Sequence, residues 1–255
     1  MEEATSKVEP YSFEYAGEEI TLVDTPSFNG TGRSDTEVLQ EIANWASETY
    51  RKKQLLSGII YLHPITHTRM EGSAVRNLRL FQSLCGQEAL GNVLLTTTQW
   101  SNVDPAEGQA REDDLRGESL WGGLIRRGAT LQRFHDTRES GLELISKLMS
   151  QERKPLRIQD EIVKQHMTLP QTDAGKFLHE ALAAQEKRFR KELESLGREL
   201  RETIRVKEGV MGLGLILIIL AERAKVQKKL EQVEAERGLL EGLNAVEIEM
   251  EGPSR

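Results

Sequence analysis

Apolar positions along the first 150 residues follow two rhythms in turn. Tyr11 to Tyr15 alternates, Ala16-Gly17 supplies a turn, and Ile20, Leu22 and Val23 lead to Asp24-Thr25-Pro26. That pattern predicts a hairpin ending at an acidic loop. From Thr36 to Gln54 the period lengthens: Val38, Leu39, Ile42, Ala43, Trp45 and Ala46 recur at helical spacing, with Ser34 or Asp35 as the N-cap. Leu56 to Leu62 is a continuous apolar run and predicts a strand buried on both faces. Ala74, Leu78, Leu80, Phe81 and Leu84 predict a helix stopping at Gly86. The remaining expectations are a buried strand over Asn92 to Thr97, one helix from Ala106 to Arg127, a short strand over Thr130 to Phe134 and a closing helix from Ser140 to Met149.

Strand and helix in alternation, joined by short connections, predict an α/β fold with a mainly parallel sheet between helices. Ligands in such folds bind beyond the carboxyl ends of the strands, here the loops after Val23, Leu62, Leu95 and Phe134. Past Gln151 the texture changes. Lys154-Pro155 and Leu169-Pro170 punctuate a polar stretch read as a linker over 151–173. Ala174 to Val206 then places Phe177, Leu178, Leu182, Phe189, Leu193, Leu196, Leu200 and Ile204 on one side of a long charged helix. A second charged stretch spaces Val226, Leu230, Val233 and Leu240 for coiled-coil pairing, although Arg237 interrupts the repeat and Gly238 and Gly242 weaken its end. The tail is therefore expected over 174–245, with a disordered C-terminus over 246–255.

Composition narrows the function classes. The chain has 255 residues, fitting one compact domain with an appendage. Its 34 Lys and Arg against 41 Asp and Glu give a net charge of -7, which argues against a protein that coats nucleic acid or acidic membrane. The single cysteine, Cys85, can form neither an internal disulfide nor a cysteine cage, and its apolar neighbours make it a small core residue. The acidic, polar start resembles no signal or transit peptide, so a cytoplasmic location is expected.

The sharpest motif is Ile20-Thr21-Leu22-Val23-Asp24-Thr25-Pro26-Ser27-Phe28. A carboxylate at a strand tip can hold magnesium through water, and the amides of the following turn can meet a terminal phosphate. The segment resembles the D-T-P-G switch motif of P-loop GTPases, with Ser27 where that family has glycine; serine keeps the amide but takes a positive φ poorly. Asp35-Thr36-Glu37-Val38-Leu39, Ser57-Gly58-Ile59-Ile60-Tyr61-Leu62-His63, Arg69-Met70-Glu71-Gly72-Ser73-Ala74, Asn77-Leu78 and Thr137-Arg138-Glu139-Ser140 extend the likeness to a fungal group of G-domain proteins, distant relatives of septins and immunity-associated GTPases. The likeness spans Thr5 to Met149. It implies an incomplete P-loop GTPase-like three-layer sandwich over 1–150, with GTP and Mg2+ as ligands. Nucleotide contacts would then fall to Asp24, Thr25, Pro26, Ser27, Thr97, Thr98, Trp100 and His135, and metal contacts to Asp24 and Thr5.

Departures from that family matter equally. No G-x-x-x-x-G-K-[ST] phosphate loop occurs, and the one Gly-Lys pair, Gly175-Lys176, follows no strand. In the resembling proteins the first strand and that loop precede the region where this sequence starts. Where the family at large reads guanine with N-K-x-D, this chain has Thr97-Thr98-Gln99-Trp100. Trp100 either stacks on a base or covers the core edge, and the second reading is favoured; the loop Phe134-His135-Asp136 has the same ambiguity. Thr5 is either the switch threonine or a solvated residue. His63 and His67 flank Pro64 and suit a polar loop better than a metal, while Arg69 and Arg76 are candidates for an anionic ligand. No Ser-His-Asp or Cys-His arrangement stands out.

Two readings of function result. One is a GTP-binding protein, a slow GTPase by resemblance, impaired without its phosphate loop. The other is a non-enzymatic interaction protein with a degenerate G-like domain and a helical tail through which it meets partners or itself. The uncharged run Gly209 to Ala221 requires a cover, supplied by the domain, a second copy or a membrane interface. The flanking Glu208 and Glu222 favour protein contact.

Overall fold

The computed structural model describes residues 7–28, 32–67, 72–206 and 210–243. Its first elements are β1 (Glu9–Tyr15) and β2 (Glu18–Asp24), an antiparallel hairpin pairing Tyr11 with Leu22 and Phe13 with Ile20. Ala16 at φ 53° and Gly17 at φ 80° make the two-residue connection, the positive angles that match the twist of a hairpin. Next comes α1 (Asp35–Arg51). Ser34 caps it: the Ser34 hydroxyl accepts from the Glu37 amide at 3.3 Å, and the Glu37 carboxylate accepts from the Ser34 amide at 2.8 Å.

Three parallel strands form a second sheet in the order β3 (Ile59–Pro64), β4 (Val93–Thr98), β5 (Thr130–Arg133). Between and after them lie α2 (Ser73–Cys85), α3 (Pro105–Leu115) and α4 (Arg138–Met149). The central strand explains the layering. Val93 and Leu95 turn into a cluster with Leu78, Leu115, Trp121 and Leu124, whereas Leu94 turns the other way against Leu144 and Leu148 of α4. Helices therefore cover both faces, as an α/β sandwich requires.

Two sequence expectations are corrected here. The strand over Leu56 to Leu62 is not buried on both faces: among the described residues β3 occupies a sheet edge with β4 as its one neighbour, and Leu62 is 60% exposed. The helix from Ala106 to Arg127 is not continuous. After α3 the chain turns at Arg116-Gly117, passes through a wide turn over Glu118–Gly122 and makes one helical turn over Gly123–Ile125, because glycines at three of seven positions give the helix little to hold it.

The stretch 151–173, expected as a linker, contains short helical turns at Arg157–Gln159, Asp160–Lys164 and Leu169–Gln171. Leu156, Ile158 and Ile162 sink into a helical core with Leu39, Leu80 and Leu84. That core continues into α5 (Asp173–Val206) and α6 (Val210–Gly242) through Ala174, Leu178, Leu182, Val233 and Leu240. The two long helices run antiparallel, as the pairs His179–Glu241 and Arg190–Glu234 require, at 3.0 and 2.8 Å. The start of α5 and the end of α6 are thus anchored to the domain, at roughly 1.5 to 3 kcal/mol for each large side chain buried. Gly175, half of the lone Gly-Lys pair, serves this packing, since a Cβ there would sit 2.0 Å from the Leu169 carbonyl oxygen.

Candidate functional site

The carboxyl ends of β4 and β5 gather a buried polar network. Thr97, fully buried at the end of β4, accepts a hydrogen bond from the Trp100 indole nitrogen at 3.0 Å. Its hydroxyl lies 3.2 Å from the Gln132 carbonyl oxygen and 3.4 Å from Glu112 Oε1, with one proton to donate. Glu112, from the inward side of α3, is almost completely buried and grips Arg133 at two points, Nε to Oε1 at 3.0 Å and Nη2 to Oε2 at 2.7 Å. This fork holds the guanidinium 4.1 Å from the Trp100 ring centroid, a cation–π contact, and keeps the Arg133 pKa above its ordinary value. Gly108 lets the indole approach α3: a Cβ there would lie 2.8 Å from Trp100 Cζ3.

Three of the expected nucleotide contacts meet in this cluster. Thr97 and Trp100 are hydrogen-bonded, and the His135 ring lies 6.3 Å from Trp100, tilted by 48°. Thr98 follows at the half-buried end of β4. Arg133 covers one face of Trp100, so the indole acts chiefly as a wall at the core edge. Glu112 and Arg133 had no signature in the sequence. They are 21 residues apart, on an otherwise polar helix and at a strand end.

The other expected contacts form a separate group. Asp24 closes β2 and, with Thr25 and Ser27, is exposed, whereas Pro26 is buried. Beyond them the Phe28 carbonyl accepts from Asn77 Nδ2 at 3.1 Å. Among the described residues no hydrogen bond, ion pair or ring contact joins this turn to the Thr97–Trp100–His135 cluster. Thr5 and Arg69 lie outside the described residues. Among the described residues no three His, Cys, Asp or Glu side chains are gathered to hold a metal. A single carboxylate such as Asp24 would suit only a magnesium ion that keeps its waters and leans on phosphate oxygens, not a protein cage.

His63 is 6% exposed on β3, in register with Thr97. Its ring packs 5.6 Å from His67 and 5.7 Å from Trp121, and burial, reinforced by His67, pulls its pKa down to about 4. It is therefore neutral at physiological pH. Arg76 is committed to an ion pair with the buried Asp35, and burial pushes the Cys85 thiol up, leaving it unreactive.

No family model matches the chain, and no curated protein matches it. Among solved structures, it is similar to Toc33 from Arabidopsis thaliana in complex with Mg2+ and GMPPNP, at 13% identity and a TM-score of 0.45, covering 58% of this chain and 72% of that one. A dimerization-deficient mutant of Toc33 aligns at 14% identity and a TM-score of 0.46, covering 59% and 72%.

Proposed function

We propose that this chain is a G-domain-type GTP-binding protein, a slow GTPase at most, in which the turn after β2 meets the nucleotide and the α5–α6 hairpin faces a protein partner. The observation that carries the reading is a bond across 200 residues: the Thr36 amide in the first turn of α1 donates to Glu236 Oε1 of α6 at 3.1 Å. The Asp24-Thr25-Pro26-Ser27 turn leads within ten residues into that helical turn, so a phosphate that moved the first would be felt by the second. Magnesium would supply charge neutralisation between Asp24 and the phosphates. These 255 residues contain no G-x-x-x-x-G-K-[ST] loop, and phosphate contacts supply most of the binding in such sites, so weak binding is expected of this stretch by itself. Titration with a fluorescent guanine nucleotide tests this. Weak, magnesium-dependent binding that Asp24→Ala reduces is expected, and no binding at millimolar nucleotide would reject the reading.

A second reading is a nucleotide-independent interaction protein with a degenerate G-like domain. The arrangement of Glu112 favours it. Both carboxylate oxygens of Glu112 are engaged by Arg133, so this carboxylate is not available to read guanine. Under this reading the titration is flat while partner capture through the hairpin persists.

A further inference from the structure

The outer side of α6 changes character along its length. Ile219, Val226 and Leu230 are buried on the side that packs against α5. At about 100° per residue, Leu213, Leu217, Leu220, Ala221 and Ala224 fall within an arc of about 100° on the opposite side. All five are exposed, the leucines at 63%, 66% and 43%. No charged residue between 213 and 224 shares that arc, because Glu222 and Arg223 fall outside it. Nearer the domain Gln227, Lys228 and Glu231, all exposed, take over the same side. A helix whose outer side met only water would be polar there from end to end.

The domain does not supply the cover. It anchors α6 through Val233 and Leu240, and Leu217 lies 16 residues before Val233, about 24 Å along the helix. Nor does charge mark this end of the hairpin for an anionic surface. On α5 the exposed Arg198 and Arg201 are balanced by the exposed Glu194 and Glu202.

We infer that α6 docks on α6 of a second copy, antiparallel about a two-fold axis that passes beside residues 218 and 219. The order of large and small side chains selects this occupant. In an antiparallel pair centred there, Leu213 faces Ala224 of the second copy and Leu217 faces Ala221 of the second copy, and the two-fold repeats both contacts. Each of these leucines thus meets an alanine that leaves room for it. A lipid surface asks for no such order. The opposed run of the helices also sets the two domains at opposite ends of the contact, clear of each other. Contact along these turns and their flanks removes roughly 500 Å² from each copy, so the pair reaches the roughly 1,000 Å² that a specific interface needs. That small area makes the dimer reversible. The dimer rests on the reading of the hairpin as a partner-facing arm but not on nucleotide binding, so sedimentation and nucleotide titration fail separately.

Sedimentation equilibrium of the full chain without nucleotide, from about 1 to about 200 µM, tests the inference. The mass should rise from one chain to two across that range. Leu217→Glu, at an exposed position, should weaken association at least about tenfold with thermal unfolding unchanged. Copper-catalysed air oxidation of an equal mixture of Leu217→Cys and Ala221→Cys chains should give the mixed disulfide in preference to either like pair, and Lys191→Cys, on the exposed side of α5, should give none. Native Cys85 is buried and does not compete. A single-chain mass up to about 200 µM overturns the proposal, whether or not the chain then binds phosphatidylserine vesicles. So does a dimer that Leu217→Glu leaves intact, or one that Lys191→Cys crosslinks as readily as the mixed pair.

Discussion

His63 offers a quantitative test of the packing around β3. Its ring is enclosed by Trp121, His67 and the neighbouring strand, which moves its pKa from 6.5 to about 4. The unfolded chain takes up a proton as pH falls through 6.5, but the folded protein resists until about pH 4. Stability attributable to this group is therefore complete above 6.5 and is lost as pH falls toward 4. At about 1.4 kcal/mol per pH unit the full loss is about 3 kcal/mol, of which about 2 kcal/mol has gone by roughly pH 5. Glu161 and Glu236 act in the opposite direction, because burial raises both pKa values and their protonation favours the fold. The comparison that isolates His63 is urea unfolding of wild type and His63→Phe at roughly pH 7.5 and roughly pH 5. Wild type should lose about 2 kcal/mol more than the variant between the two conditions. Equal losses would mean that the imidazole is hydrated and the enclosure wrong.

Other residues carry separate expectations. Glu112→Ala leaves Arg133 without its fork and should cost about 2 kcal/mol in denaturant unfolding, less than a fully buried pair because Arg133 is partly solvated; a loss below about 0.5 kcal/mol would show that the network does not hold Trp100. Glu236 has its pKa raised by burial and by Asp35, so Glu236→Gln should flatten the decline in stability as pH rises above 4.5, and a steeper decline in the variant would contradict the assignment. Leu62→Lys on the open edge of β3 should reduce turbidity on concentration with melting temperature nearly unchanged, whereas unaltered turbidity would show that this edge is not the sticky surface.

Local chemistry made much of the fold legible. Ala16-Gly17 marked the hairpin, Ser34, one of two N-cap candidates, marked the start of α1, and Gly86 at φ 72° marked the end of α2. What failed was non-local. Nothing within Leu56 to Leu62 says how many neighbours its strand has, and a run of Ile and Leu reads alike at a sheet edge and a sheet centre. The polar stretch after Gln151 hides three anchors, Leu156, Ile158 and Ile162, whose burial depends on helices far away in sequence. At the β4–β5 end the resemblance singles out Thr97, Trp100 and His135, and the three side chains do lie together. Glu112 was not legible, since a lone Glu on a polar helix looks solvated until the fold turns it inward.

The link between Glu236 and α1 has an energetic consequence for how such a protein would signal. Glu236 carries a burial cost that its bonds from the Thr36 and Asp35 amides and the nearby Arg76 offset, while Asp35 repels it. Balanced attraction and repulsion make this contact easier to shift than the apolar core formed by Leu178, Leu182 and Val233 beneath it. A small change at the start of α1 would therefore first alter the Glu236 contact and leave the hairpin's anchor in place. The free end of the hairpin, with Leu217 and Arg201, could then be reoriented without unfolding either half, which is the mechanical arrangement that a partner-facing arm needs.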